Sequence, residues 1–248
     1  MTRRRFHAPP SAFDDRVVTL SAEEARHARD VLRLRPGDEV YVFDGAGKEF
    51  QCEIRKLTES EGVLNLVAAV SPAQPESPLD LRLAVVLLKG EKFDLVVQKF
   101  AELGVVRITP LLSARADVRF RDDGNAKRRS ARWQRIALEA TKQCGRARVM
   151  QVEDPIPFSS LIGRTEDAEW KIMFAERAGS SFAEIDIPTI PKSILAVVGS
   201  EGGWADEEIE MARAANWSIL TLGGRTLRAE TAAIVAAALL QNRFGDLK

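Results

Sequence analysis

The sequence predicts an α/β fold, a parallel sheet covered by helices on both faces, preceded by a small β-barrel. Three observations carry this. Beyond residue 79, apolar strand-like runs alternate with helical stretches, the rhythm of a parallel sheet. Before residue 71, short strands are separated by glycine turns, the spacing of a small barrel. Between them lies "SPAQPESP" (71–78), with three prolines and no large apolar residue, the best linker in the chain. The expected domains are 1–72 and 73–248.

The elements follow in order. "SAEEARHARDVLRL" (21–34) predicts a helix with Ser21 as N-cap and Glu24, three residues later, completing a capping box. "RPGDEV" (35–40) is a turn feeding the strand "EVYVFD" (39–44). "GAG" (45–47) leads to "KEFQCEIRKL" (48–57), and Gly62 precedes "VLNLVAAV" (63–70). "LDLRLAVVLL" (79–88) reads as a buried strand. "EKFDLVVQKFAEL" (91–103) places Phe93, Val96, Val97, Phe100 and Leu103 on one helical face, and Gly104 stops it. "VVRITPLL", "WKIMFAE", "SILAVVG" and "SILTLGG" are further strands. "KRRSARWQRIALEATKQC" (127–144) is a basic amphipathic helix, and another helix runs from Gly203 to near Asn216. The closing "ETAAIVAAALLQNRF" is apolar nearly all round. It must be buried, in the core or against another subunit.

Composition narrows the function classes. Acidic and basic residues cancel to a formal net charge of zero, so global charge names no partner. The distribution is uneven: residues 121–150 carry nine Lys/Arg against three acidic residues, and the chain opens with Arg3, Arg4 and Arg5. Cys52 and Cys144 lie outside any metal-ligand spacing, and with only two histidines no metal site is expected. "MTRRRFHAPPSAF" has charge but no apolar signal-peptide core, and the apolar run Ala232–Leu240 is too short to span a bilayer. A cytoplasmic protein without a membrane partner is expected.

Nucleotide and hydrolase signatures are missing: no G-x-G-x-x-G, no Walker loop, no G-x-S-x-G elbow and no H-E-x-x-H. What remains is two glycine loops, "GSEGG" (199–203) and "LGGRTLRAETA" (222–232). Each follows an apolar strand and precedes a helix. Such loops present main-chain N–H and C=O groups, which suit a flat neutral ligand such as adenine. Either loop alone is also ordinary strand-end architecture; together, with Arg225 and Arg228, they point to a binding site at strand ends.

"VVGSEGGWADEEIE" and "LGGRTLRAETAAIVAAALLQNRFGDL" resemble the C-terminal signature of the RsmE methyltransferases, SPOUT-class enzymes acting on N3 of a uridine in 16S ribosomal RNA. "HARDVLRLRPGDEVYVFDGAGKEFQCEI" resembles that family's PUA-like RNA-binding barrel. "KGEKFDLVVQKFAELGVVRITPLLSARA" and "RWQRIALEATKQCGR" resemble its middle motifs. The resemblance implies a trefoil-knot α/β domain, S-adenosylmethionine as cofactor, a homodimer built on the knot helices, and ribosomal RNA of the small subunit as partner. It places the cofactor against Gly199, Glu201, Gly202, Gly203, Leu222, Gly223, Leu227, Arg228, Thr231 and Ala232. It implies Arg4, Arg228 and Glu201 as catalytic candidates, and Arg4, Arg5, Arg33, Lys89, Arg129 and Arg132 as RNA contacts. The chain departs from the family pattern at Ser200 (usually proline), at Ala205 (usually a serine cap) and at Ala229 (usually a hydroxyl residue).

The chemistry asks for alignment of N3 with the methyl donor and for positive charge beside the ring carbonyls. Arginine supplies that charge in plane. Arg4, two residues before Phe6, matches the family's N-terminal arginine, with Arg5 as the near-register alternative. Hydroxide and an arginine-assisted carboxylate both stay open as the base. The basic helix reads either as a solvated face or as a phosphate contact. Phe93, Phe100 and Trp133 read as core, and Glu230 as a charge at a helix N-terminus. A non-catalytic RNA-binding module and a methyltransferase of another RNA are the competing readings.

Overall fold

Side-chain alternation sorts the larger part of the chain into layers. The computed structural model describes residues 3–118, 123–164, 168–187 and 189–248. The chain forms two compact units, Met1–Glu76 with Thr141–Val149, and Ser77–Ala140 with Met150–Lys248.

The first unit is a curled six-stranded sheet. Its strands are β1 (Arg5–His7), β2 (Phe13–Asp14), β3 (Val17–Leu20), β4 (Glu39–Phe43), β5 (Glu49–Leu57) and β6 (Gly62–Val70), in the order β1-β4-β5-β6-β3-β2. β1 lies parallel to β4, and the other pairings are antiparallel. Inward positions at period two, such as Val40 and Val42, join Phe6, Leu20, Ile54 and Leu64 in the core. The buried Cys52 is there as packing; burial pushes its thiol up to about 12, so it is no nucleophile at neutral pH.

Helix α1 (Ala22–Arg26) starts as expected, with Ser21 Oγ accepting from Glu24 N at 3.3 Å. The reciprocal half of the capping box is absent, because Glu24 pairs with Lys142 Nζ at 2.5 Å instead. The proline segment is no loose tether. Ala73 N donates to Glu49 at 3.1 Å, Gln74 N donates to Gly145 O at 3.1 Å, and Glu76 accepts from Arg146 Nε at 2.9 Å.

The second unit is an all-parallel sheet. Its strands are β7 (Asp80–Val86), β8 (Arg107–Leu112), β9 (Gln151–Val152), β10 (Ile156–Pro157), β11 (Trp170–Phe174), β12 (Ser180–Ser181), β13 (Ser193–Val198) and β14 (Ser218–Thr221). The order is β10-β8-β7-β13-β11-β14-β12, with β9 also on β8. The helices are α2 (Lys92–Glu102), α3 (Asp123–Cys144), α4 (Phe158–Ile162), α5 (Asp206–Ala214) and α6 (Ala229–Phe244).

One face takes Leu81, Leu83, Val85, Ile172, Ile194 and Ala196 against residues of α2, α3 and α6. The other takes Ala84, Val86, Met173, Leu195 and Val197 against residues of α4 and α5. Burial on both faces is why these strands read as continuous apolar runs. Phe93 and Trp133 are core as expected, their rings 4.4 Å apart, with the indole N–H bonded to Asp94 at 2.9 Å.

Helix α6 settles the question its composition raises only in part. Ala229, Ala233, Ala236, Ala237 and Leu240 are buried, and the helix packs on α2, β7 and β13. On its other face Ile234, Val235 and Ala238 remain half-exposed. Among the described residues, no helix is long and apolar enough to cross a membrane.

Candidate active site

The sheet order brings three strand ends together. β11 lies between β13 and β14, all three parallel, so the loops leaving their carboxyl ends converge on one edge. They border an open pocket with a cavity volume of about 140 Å³. Phe174, Val198, Leu222 and Leu227 give it apolar walls.

Of the residues expected to hold a cofactor, Gly199, Gly203, Leu222, Gly223, Leu227 and Ala232 line this pocket. Glu201, Gly202, Arg228 and Thr231 do not. Arg228 is the exposed N-cap residue of α6, and its carbonyl accepts from Ala232 N at 2.8 Å. Arg225, from the same loop, lines the pocket and has no side-chain partner among the described residues.

The glycines of the first loop are occupied by the protein itself. A Cβ on Gly199 would meet the Trp204 indole at 3.1 Å, and one on Gly202 would meet Arg115 O at 2.8 Å. Gly203 has φ +63°, and a Cβ there would stand 2.5 Å from Glu176 Oε1. The loop is therefore folded tightly onto its neighbours. Trp204, wholly buried, anchors it by donating from Nε1 to Phe174 O at 2.9 Å.

The second loop is the reverse. From Gly223 to Leu227 the main chain makes no hydrogen bond among the described residues, although all five positions line the pocket. Gly223 to Thr226 are exposed and Leu227 is half-buried, so these main-chain donors and acceptors stand open to solvent and are free to meet a ligand. Ser200 adds to it. Its hydroxyl is buried without a partner, in the pocket lining. The serine that stands where the family pattern has proline thus brings a polar atom to the pocket lining.

Glu201 faces a different neighbour. Lys92 Nζ donates to its Oε1 at 2.5 Å and lies 3.5 Å from Glu230 Oε2. Burial raises the Glu201 carboxyl, but the Lys92 hydrogen bond, its own backbone N–H and the charges of Lys92 and Lys89 outweigh this and hold it below the usual range. The hydrogen bond from Lys92 to Glu201 in turn raises the lysine. A carboxylate so held is a poor proton acceptor near neutral pH.

Ala205 is the N-cap of α5, and with no side-chain oxygen it leaves only the reciprocal half of a capping box. Glu208 accepts from Ala205 N at 2.9 Å and from Ala114 N at 2.9 Å. Asp206 does not cap; its carboxylate bonds Arg177 at 2.7 Å.

The expected RNA contacts divide. In the first unit Arg4 and Arg33 are exposed without side-chain partners among the described residues. Arg5 is a structural cation instead. It bonds Glu49 at 3.0 Å, Lys142 O at 3.1 Å and Arg146 O at 2.7 Å, and stacks on Phe43 at 4.7 Å. With its side chain 6% exposed and its donors engaged, it offers nothing to a phosphate. In the second unit Lys89 pairs with Asp117 at 2.8 Å, and Arg132 pairs with Asp94. Arg129 and Arg132 share the exposed basic face of α3. Arg121 and Asp122, within the basic stretch, lie outside the described residues.

Sequence reasoning missed the third wall, Phe174, Ala175 and Glu176. The signal was available: "FAE" closes an apolar run, as the residues before both glycine loops do.

Known proteins resemble this chain along most of its length. Residues 75–241 match the model of an RNA methyltransferase domain, and residues 20–66 match an RNA methyltransferase PUA domain. Ribosomal RNA small subunit methyltransferase E of Bacillus subtilis is 32% identical over 95% of this chain and 91% of its own length. The protein of the same name from Synechocystis is 32% identical over 94% of this chain and 76% of its own. A crystal structure of the Neisseria gonorrhoeae enzyme of that name, bound to S-adenosyl methionine, superposes with a TM-score of 0.88 at 32% identity, covering all of both chains.

Proposed function

This chain belongs to the RNA methyltransferase family whose relatives are ribosomal RNA small subunit methyltransferases E, and from that premise we propose that it transfers a methyl group from S-adenosylmethionine to N3 of a uridine in 16S ribosomal RNA. The observation that carries the reading is the unpaired main chain of Gly223–Leu227 lining an apolar-walled pocket. Adenine is flat and neutral and needs main-chain donors and acceptors of this kind. Ser200 Oγ, buried and unpartnered, supplies another polar contact.

Bound there, the cofactor supplies an electrophilic methyl group on a cationic sulfur. The chain's part is to hold and to orient. Gly199, Gly203, Leu222, Gly223, Leu227 and Ala232 enclose the ligand. Phe174 and Val198 exclude water from it. Arg4 is the substrate-orienting cation, free to donate in plane to a uracil carbonyl as negative charge develops there. Arg129 and Arg132 contact phosphates, and Glu201 holds its loop through Lys92 rather than moving a proton. The trefoil threading of the C-terminal segment belongs to this reading, as does action in the cytoplasm. So does a homodimer, supported by the half-exposed stripe of Ile234, Val235 and Ala238 on α6.

The test is mass mapping of modified uridines in ribosomal RNA from cells with and without the protein. Loss of one N3-methyluridine from 16S RNA on deletion is the expected result. A lesion in transfer RNA instead, or no lesion at all, overturns it. Calorimetry adds an independent arm: at a hundred times the dissociation constant, S-adenosylmethionine should stabilise the protein by about 2.7 kcal/mol.

A further inference from the structure

We propose that Glu176 is the counter-charge of the pocket, paired with a cationic centre of the bound cofactor. The inference rests on the cofactor reading above and assigns a residue that neither glycine loop contains.

Glu176 is the one carboxylate among the described residues that line the pocket. Its position is fixed from outside. Arg177 Nη1 donates to Oε1 at 2.8 Å, while Arg177 Nη2 is held by Asp206 at 2.7 Å and by Trp204 O at 3.1 Å. Oε2 receives no donor from the described residues. A carboxylate tethered by one oxygen and open at the other is set to receive a ligand cation. The approach of Glu176 to the first loop explains Gly203, where any Cβ would collide with this carboxylate. The other charged residue of the lining, Arg225, is of opposite sign. One acid and one base suit a ligand carrying both an ammonium and a carboxylate, as the methionine part of the cofactor does. The sulfonium is the second cationic centre within the same ligand.

The experiment measures dissociation constants of three ligands for the wild-type protein and for Glu176→Gln, which keeps the shape and removes the charge. S-adenosylmethionine carries the ammonium and the sulfonium, S-adenosylhomocysteine the ammonium alone, and 5′-methylthioadenosine neither. The variant should lose about fivefold in affinity for S-adenosylmethionine, the upper end of what a half-exposed ion pair gives, and keep its affinity for 5′-methylthioadenosine. An equal loss for S-adenosylhomocysteine assigns the ammonium as partner; a loss for S-adenosylmethionine alone assigns the sulfonium. Equal losses for all three ligands, or none, overturn the proposal. A wild-type protein that binds none of the three fails the cofactor reading itself, a result distinct from a wild type that binds and a variant that binds equally well.

Discussion

Lys92 Nζ lies 2.5 Å from Glu201 Oε1 and 3.5 Å from Glu230 Oε2, so one ammonium joins three chain segments: the start of α2, the loop after β13 and the first turn of α6. Two of those segments border the pocket. The Glu201 carboxyl is depressed from 4.5, so its contribution is present above that value and lost as pH falls through the lower folded one. Lys92 is raised from 10.5, so its contribution is present below that value and lost as pH rises through the higher folded one. The melting-temperature difference between wild type and Lys92→Met should be flat from about pH 5 to about pH 10 and shrink beyond both limits. Scanning calorimetry across that range checks it; a difference that grows in acid contradicts the pairing.

Arg4 and Arg5 are adjacent and should behave oppositely. Arg5→Ala leaves the buried Glu49 carboxylate with one fewer cation and should cost about 3 kcal/mol of stability. Arg4→Ala should stay within about 0.5 kcal/mol of wild type in stability. It should also bind S-adenosylmethionine normally, yet slow single-turnover methylation at saturating RNA. Wild-type transfer by Arg4→Ala would reduce Arg4 to a phosphate contact at most.

Gly203→Ala combines two penalties. A left-handed backbone costs an L-residue about 1–2 kcal/mol, and the new methyl must displace Glu176. A melting temperature lowered together with weakened S-adenosylmethionine binding is expected. Retention of both would mean that the loop relaxes freely.

Ile234→Asp puts a charge into the half-exposed stripe of α6 without entering the unit's own core. Sedimentation velocity should show a dimer for wild type at micromolar concentration and a monomer for the variant. A wild-type monomer removes the dimer from the functional reading.

The fold was legible where burial leaves a periodic trace. Phe93, Val96, Val97 and Phe100 share a face in the sequence and lie buried in α2. The two-residue strands β2, β9, β10 and β12 were not legible, because so few residues set no period. At the site, the glycine loops stood out by composition. Glu176 did not, because its role comes from a strand that becomes a neighbour only in the folded sheet. Arg5 could not be told from Arg4 by sequence either; what separates them is Glu49, 44 residues away.

The strand order also sets a timetable for assembly. β11 is flanked by β13 and β14, both of which are made after it. During synthesis β11 leaves the ribosome with neither neighbour available, and β7 has only β8 beside it until β13 arrives. Apolar edges therefore wait exposed across tens of residues, the condition under which nascent chains associate wrongly. Closing these long-range parallel pairings is intrinsically slow. The convergence of strand ends that makes the pocket is thus completed late, and a chain arrested before its C-terminal helix would hold every strand of the sheet but lack Ala229 and Ala232 of the pocket wall.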